Sequence, residues 1–196
     1  MKRILLAGIL GGLTLFVWMF VAHEVLGLGE VGVKEIPNEA AVTMAMQVAI
    51  PDAGFYIFPG FGLGPKPSRE QQNAAMPEYM KKYEKSGHGI LIYHPASGPF
   101  SIGLLLGREF GLNVLQALIV AWLLSCAASG RAYAGRVAFV AVAGILAAIG
   151  TNVEYWNWYD FPGNYVAGYI TTQISGFILA GLVIGGLVKN GTSARS

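Results

Sequence analysis

Four long apolar stretches, separated by polar segments, set the pattern of this chain. Each approaches the ~20 residues with which a helix crosses about 30 Å of hydrocarbon. The first follows Lys2-Arg3, as the apolar region of a signal peptide would. However, it exceeds the roughly 7–15 residues of that region, and no A-x-A-like cleavage site follows it. We therefore expect a retained helix and an α-helical integral membrane protein. The pattern predicts a four-helix transmembrane bundle, with helices over 4–26, 99–128, 136–156 and 164–188.

The segment 27–98, between the first two predicted helices, is too polar to span a membrane. Short β-branched and aromatic runs in it indicate strands. Ser68 followed three residues later by Gln71 is typical of a helix N-terminus. The insert is therefore predicted to be a small α+β extracytoplasmic cap that rests on the outer ends of the helices, because so few residues bury little surface by themselves. Its helices are predicted over 39–50 and 69–85, and its strands over 54–58 and 88–94.

The stretch Thr151–Tyr165 joins the third and fourth predicted helices and is rich in aromatic residues. Amphipathic Trp and Tyr rings gather where hydrocarbon meets water. Pro162 fixes its own φ and Gly163 is free to take a positive φ, so a turn is expected there. We interpret the stretch as an interfacial hairpin tip. The aromatic side chains expected at the membrane boundary are Trp18, Tyr155, Trp156, Trp158 and Tyr159.

The distribution of charge predicts an orientation. The chain is 54% hydrophobic and 12% charged, against roughly 25% charged residues in an average soluble protein. Basic residues in short loops favour the cytoplasmic side of a membrane. If the N-terminus is inside, the acidic residues all fall outside or at the outer interface. The inner segments then hold basic residues and no acid: Lys2, Arg3, Arg131, Arg136, Lys189 and Arg195. We predict a multi-pass protein of the cell inner membrane, with both termini inside.

Polar residues from all four predicted helices fall near the outer membrane boundary. Glu109, Asn113 and Gln116 recur at i, i+4 and i+7 and therefore share one helix face. An ionisable residue at membrane depth costs several kcal/mol unless it is paired, which makes it a functional-site hypothesis. We favour the structural interpretation, in which interfacial charges are hydrated or paired at small cost, over the functional one. The predicted polar boundary cluster is His23, Glu24, Arg108, Glu109, Asn113, Asn152, Glu154 and Gln173.

Imidazole and carboxylate groups suit Zn or Fe, and the residues that could supply them are His23, His88, His94 and Glu109. His88 and His94 would share one face of a strand. No H-x-x-x-H or H-E-x-x-H spacing connects these residues, so we expect neither a metal site nor a cofactor. No histidine lies in the middle of a predicted span to hold a haem, and the chain has neither a Walker pattern nor a nucleic-acid surface. The one cysteine, Cys126, excludes an intrachain disulfide.

Four stretches together resemble a set of uncharacterised bacterial inner-membrane proteins with four predicted spans. They are GGLTLFVW with HEVLGLGE, GFYIFPG, GHGILIYHP and NVEYWNWYDFP. The resemblance covers nearly the whole chain. It implies the four-span topology and a bacterial source, and it carries no assigned activity and no catalytic residue to this sequence.

Two classes of function precede a third, that of a transporter, because four helices without repeats or broken helices lack the usual transporter architecture. The leading hypothesis is a non-enzymatic accessory or scaffolding subunit of a membrane complex, whose partners are the lipid bilayer and other membrane-protein subunits or a second copy. The alternative is a membrane-embedded enzyme, or a binder of a small ligand or metal, that uses the polar boundary residues. Small residues at Gly8-x-x-x-Gly12 allow two helix backbones to approach closely, and we expect them to pack within the bundle.

Overall fold

The computed structural model describes residues 1–96 and 98–189. The fold is mostly helical, with a small two-stranded sheet. It contains two compact units: the insert unit, Glu35–Pro99, and the bundle unit, formed by the chain on either side of it. The helices are α1 Lys2–Phe20, α2 Glu39–Ala49, α3 Arg69–Lys85, α4 Ile102–Ala127, α5 Tyr133–Ala148, α6 Glu154–Tyr159 and α7 Gly163–Leu187, and the strands are β1 Gly54–Phe58 and β2 Gly89–Tyr93.

Four helices of the described residues are long and apolar enough to cross a membrane: Lys2–Val25, Ile102–Ala127, Tyr133–Tyr159 and Gly163–Leu187. At most 39% of the apolar window of any of them is buried inside the protein. The remaining apolar side chains form a surface that water would solvate poorly and lipid would solvate well. By length and composition, these four helices are those of a multi-pass membrane protein.

The four helices do not pack as a closed square. α1 packs on α4 and α7, and α7 packs on α1 and α5, whereas α4 and α5 barely meet. Glycines make the α1–α4 contact close, since a Cβ added at Gly12 would lie 2.5 Å from the Val114 Cα atom. Gly8 meets Leu118 in the same contact. The small-residue spacing of the first span therefore serves packing within the chain, as predicted.

Helix α7 lies at the centre of the bundle and is buried along a stripe of small residues. A Cβ at Gly176 would lie 2.9 Å from the Trp18 ring of α1, and a Cβ at Gly181 would lie 3.2 Å from the Val137 carbonyl oxygen of α5. The Trp18 Nε1 donates a hydrogen bond of 2.8 Å to the Thr172 carbonyl oxygen. Trp18, which we expected at the membrane boundary, is therefore half-buried between α1 and α7.

The first and third spans each contain a π-helical turn, Val21–Val25 and Ile149–Val153, near the end from which the chain leaves for the insert unit. We call this the insert end of the bundle. In both turns a polar side chain engages the carbonyl oxygen four residues earlier. The His23 Nδ1 lies 2.8 Å from the Met19 oxygen, and the Asn152 Nδ2 donates to the Ala148 oxygen at 3.0 Å. A side chain that occupies this acceptor competes with the helical N–H, which accounts for the widened turns.

A buried arginine ties the helices together at the opposite end, which carries the loop 128–132. The Arg136 Nε donates to the Gly185 carbonyl oxygen near the C-terminus of α7 at 2.8 Å, and its Nη1 donates to the Arg131 carbonyl oxygen at 2.7 Å. The Tyr133 hydroxyl adds a 3.0 Å bond to the Leu182 carbonyl oxygen. A cation beside the last carbonyls of a helix also interacts favourably with the helix dipole.

Several segments differ from the sequence-based expectation. The stretch interpreted as a hairpin tip is helical through Tyr159, so the break is confined to 160–162. The left-handed residue there is Asp160, with φ of 55°, and Gly163 instead begins α7. Helix α4 begins at Ile102 rather than at 99. Residues 27–34, assigned to the cap by sequence, belong to the bundle unit, where Leu28 and Val31 pack against Gly168 of α7.

The insert unit has the predicted elements. Strands β1 and β2 pair antiparallel, with Gly54 opposite Tyr93 and Phe58 opposite Gly89. The Ser68 hydroxyl accepts from the Gln71 N–H at 3.2 Å, and the Gln71 side chain accepts from the Ser68 N–H at 2.8 Å, which is the predicted capping box. Helices α2 and α3 have no buried residue. The unit therefore contains little core of its own.

Candidate functional site

A cavity of about 220 Å³ lies inside the bundle unit, towards the insert end, and all four spans line it. We call it the polar cleft. Eight of its twelve lining residues carry an amide, a hydroxyl or a carboxylate, which are uncommon inside an apolar helical bundle, although apolar atoms form most of the exposed wall. Its lining residues are Leu15, Met19, Glu109, Asn113, Gln116, Thr151, Asn152, Tyr169, Thr172, Gln173, Gly176 and Phe177.

One wall of the polar cleft is the polar face of α4. Glu109, Asn113 and Gln116 all line it, as their helical spacing predicts. The Asn113 Nδ2 donates to the Glu109 Oε1 at 2.9 Å, and Asn113 is 5% exposed. The hydrogen bond joins residues one turn apart, so it fixes the carboxylate without crossing the cleft. The Glu109 side chain is half-buried.

A second pair of amides forms the facing wall. Asn152, on the π-helical turn of the third span, donates through its Nδ2 to the Gln173 Oε1 of α7 at 3.2 Å. The same Nδ2 holds the Ala148 carbonyl oxygen. Asn152 is 8% exposed, and Thr172 beside it is 2% exposed. The π-helical turn thus positions a buried amide that connects α7 with the third span.

The polar cleft is open on one side, because α4 and α5 barely meet. Gln116 on α4 and Thr151 on the third span line the cleft and are nevertheless exposed. Leu15 and Met19 of α1, with Phe177 of α7, form an apolar floor. In a bundle of membrane-spanning helices, such an opening faces the lipid rather than the aqueous phase, so a molecule could enter sideways.

The predicted polar boundary cluster divides into two halves. The structure brings Glu109, Asn113, Asn152 and Gln173 together in the polar cleft, whereas the other four members do not line it. Of these, the His23 ring packs edge-on against Tyr169, with centroids 6.0 Å apart. The remaining three, Glu24, Arg108 and Glu154, are exposed.

The four residues considered for a metal are divided between the units. His23 and Glu109 belong to the bundle unit, whereas His88 and His94 flank β2 in the insert unit rather than lying within the strand. The His88 ring stacks on Tyr83, with centroids 4.0 Å apart. Among the described residues, no group of three or more His, Cys, Asp or Glu side chains is placed to hold a metal ion.

The aromatic residues at the end of the third span are exposed. Tyr155, Trp156, Trp158 and Tyr159 all present large fractions of their surface, and Trp158 is the most open at 74%. Tyr155 also stacks on Phe161, with centroids 5.4 Å apart. These four exposed side chains can meet a membrane boundary.

The sequence pattern did not single out Thr151, Tyr169, Thr172 or Gly176, which also line the cleft. Thr172 and Gly176 are separated by one helical turn, which placed them on one face. However, nothing in their spacing indicates that this face borders a cavity. Thr151 lies in the π-helical turn, where the ordinary helical spacing does not apply.

By length and composition the four spans are those of a multi-pass membrane protein, and a cavity with polar lining residues lies inside their bundle. Searches among protein-family models, curated proteins and solved structures find no match for this chain. We therefore infer its function from the cleft.

Proposed function

We propose that this protein binds a small polar or amphipathic molecule in the polar cleft of its membrane bundle. The observation that carries the proposal is that polar side chains from three of the four spans converge in one cavity. The first span helps to form the apolar floor of that cavity. Isolated polar residues would suffice to set helix packing. A hollow lined by several of them leaves hydrogen-bonding groups available to a guest, as ligand sites between bundle helices do.

The proposed location is a bacterial inner membrane, with the N-terminus and the C-terminus in the cytoplasm. This orientation is supported by the basic residues of the short loop and the flanking helix end, Arg131 and Arg136, and by Lys2 and Arg3 before the first span. The polar cleft would then lie in the outer half of the membrane, and its ligand would come from the outer leaflet or the space beyond it.

The test is to fill the polar cleft and follow what remains bound. Gln116→Trp places a large ring in the opening, whereas Leu115→Trp, one residue earlier on α4, adds the same ring at an exposed position that does not line the cavity. Native mass spectrometry of protein purified in mild detergent should detect a retained small molecule or lipid on the wild type and on Leu115→Trp. Gln116→Trp should lose it. Equal retention by both variants would contradict the proposal.

A second function, that of an accessory subunit, is favoured by the insert unit. Among the described residues of the insert unit, only Tyr93 is buried. Its exposed apolar side chains include Met44, Val48, Phe58 and Ile92. An exposed apolar surface of this kind marks a contact with protein or membrane. Purification of the native complex would test this function. A partner that remains with the full chain, but not with a Val48→Lys, Ile92→Lys variant, would support it, and a protein that always migrates alone would contradict it.

A further inference from the structure

The charge of the polar cleft narrows the class of its ligand. Glu109 is the one charged side chain among the described residues that line it. It lies seven residues after the first residue of α4, which places it about 10 Å along the helix at 1.5 Å per residue. A carboxylate within an apolar span is costly unless a cation or a proton neutralises it. The amide of Asn113 satisfies one oxygen but carries no net charge.

The rest of the polar cleft offers a guest acceptors as well as donors. The Asn152 Nδ2 is committed to Ala148 and Gln173, which leaves the Asn152 amide oxygen as an acceptor, while the Gln173 amide also carries two N–H donors. An ammonium group has three donors and no acceptor. It would match a carboxylate on one wall and amide and hydroxyl oxygens on the other. The ring of Tyr169, which also lines the cleft, can add a cation–π contact.

The size and shape of the polar cleft limit the remainder of the ligand. A volume of about 220 Å³ is smaller than the roughly 300–1,000 Å³ of pockets that hold drug-sized ligands. The cleft therefore suits a small head group with a short apolar segment. Leu15, Met19 and Phe177 supply an apolar floor for that segment, and a longer chain would leave through the opening between α4 and α5.

We infer that the polar cleft binds the ammonium group of an amphipathic amine, with Glu109 as its counter-ion and the alkyl portion directed to the lipid-facing opening. This inference rests on the proposed function, since it names the ligand class of the same cleft. The ammonium group could be the head group of a membrane lipid or part of a free amphipathic amine, and the chemistry of recognition is the same for both.

The experiment compares hexylamine with hexanol, which have the same chain and differ in charge at neutral pH. Binding to the full chain in a neutral detergent is measured by the concentration dependence of thermal unfolding and by native mass spectrometry. The wild type should bind hexylammonium at least about tenfold more tightly than hexanol. Glu109→Gln keeps the shape of the side chain and should lose this preference. Glu154→Gln, which removes an exposed carboxylate outside the cleft, should keep it.

The outcomes separate this inference from the proposed function. If hexanol and hexylammonium bind equally to the wild type, the ammonium assignment is overturned while the cleft remains a binding site. If neither binds, and no phospholipid is retained, the proposed function fails as well. The wild-type comparison decides the matter even if Glu109→Gln does not fold. Retention of phosphatidylethanolamine over phosphatidylglycerol would support a lipid head group as the source. Binding of hexylammonium without that retention would support a free amine.

Discussion

The contact between α1 and α4 should be sensitive to a single methyl group at Gly12. In Gly12→Ala, the added Cβ would lie 2.5 Å from the Val114 Cα atom and 2.7 Å from its backbone nitrogen. Ordinary van der Waals contact begins at 3.4 Å. Because these two obstructing atoms belong to the backbone of α4, they cannot move aside as the end of a side chain would. The two helices would have to separate by about 1 Å, which forfeits a quarter to a half of the dispersion energy of each affected contact.

The expected cost follows from a comparison of two glycines. Overpacking of this kind destabilises a protein by about 1–3 kcal/mol. Replacement of Gly by Ala inside a helix acts in the opposite direction and stabilises it by up to about 1 kcal/mol through helix propensity. Gly111 is a matched control, since a Cβ there meets nothing within 4 Å. The propensity contribution is common to both substitutions. The free energies of unfolding of Gly12→Ala and Gly111→Ala should therefore differ by about 1–3 kcal/mol, with Gly12→Ala the less stable.

The measurement is reversible unfolding in mixed micelles, followed by circular dichroism as the fraction of denaturing detergent is raised. Gly111→Ala should unfold at or above the wild-type midpoint, and Gly12→Ala below it. If the two variants unfold together, the close approach of α1 and α4 is not a feature of the folded protein. The packing order of the four helices would then need to be revised.

Two further predictions concern the end of the bundle opposite the polar cleft. Arg136→Gln removes a buried guanidinium and its bonds to two backbone carbonyls, so it should lower the free energy of unfolding by about 2–4 kcal/mol. Arg131→Gln, at an exposed side chain, should change it by less than about 1 kcal/mol. Equal effects would contradict the role given to Arg136. For the orientation, single cysteines at Ser86 and Ser129 in a Cys126→Ala background should differ towards an impermeant thiol reagent. Ser86→Cys should react in intact cells and Ser129→Cys only after lysis, and the reverse pattern would invert the proposed topology.

The sequence by itself determined the elements of this protein. Apolar runs of spanning length define four helices because a helix satisfies its own backbone hydrogen bonds, and only such a segment can lie in hydrocarbon. Local signals were equally reliable in the insert unit, where the Ser68 capping box and both strands were predicted and are observed. These features depend on residues close together in the chain, so the sequence displays them directly. The helical period also placed Glu109 and Asn113 on one face.

The tertiary structure decided what those faces meet. The boundary position of Trp18 stays a prediction, but its indole donates to the Thr172 carbonyl oxygen, a contact for which the glycine at 176 leaves room. Asn152 and Gln173 were both predicted near the boundary, but the π-helical turn around Asn152 shifts the helical period, so their contact cannot be located by counting residues. The polar cleft itself exists because α4 and α5 stay apart. Helix order and separation arise from the packing of distant residues, and a pattern along one helix contains no information about the gap beside it.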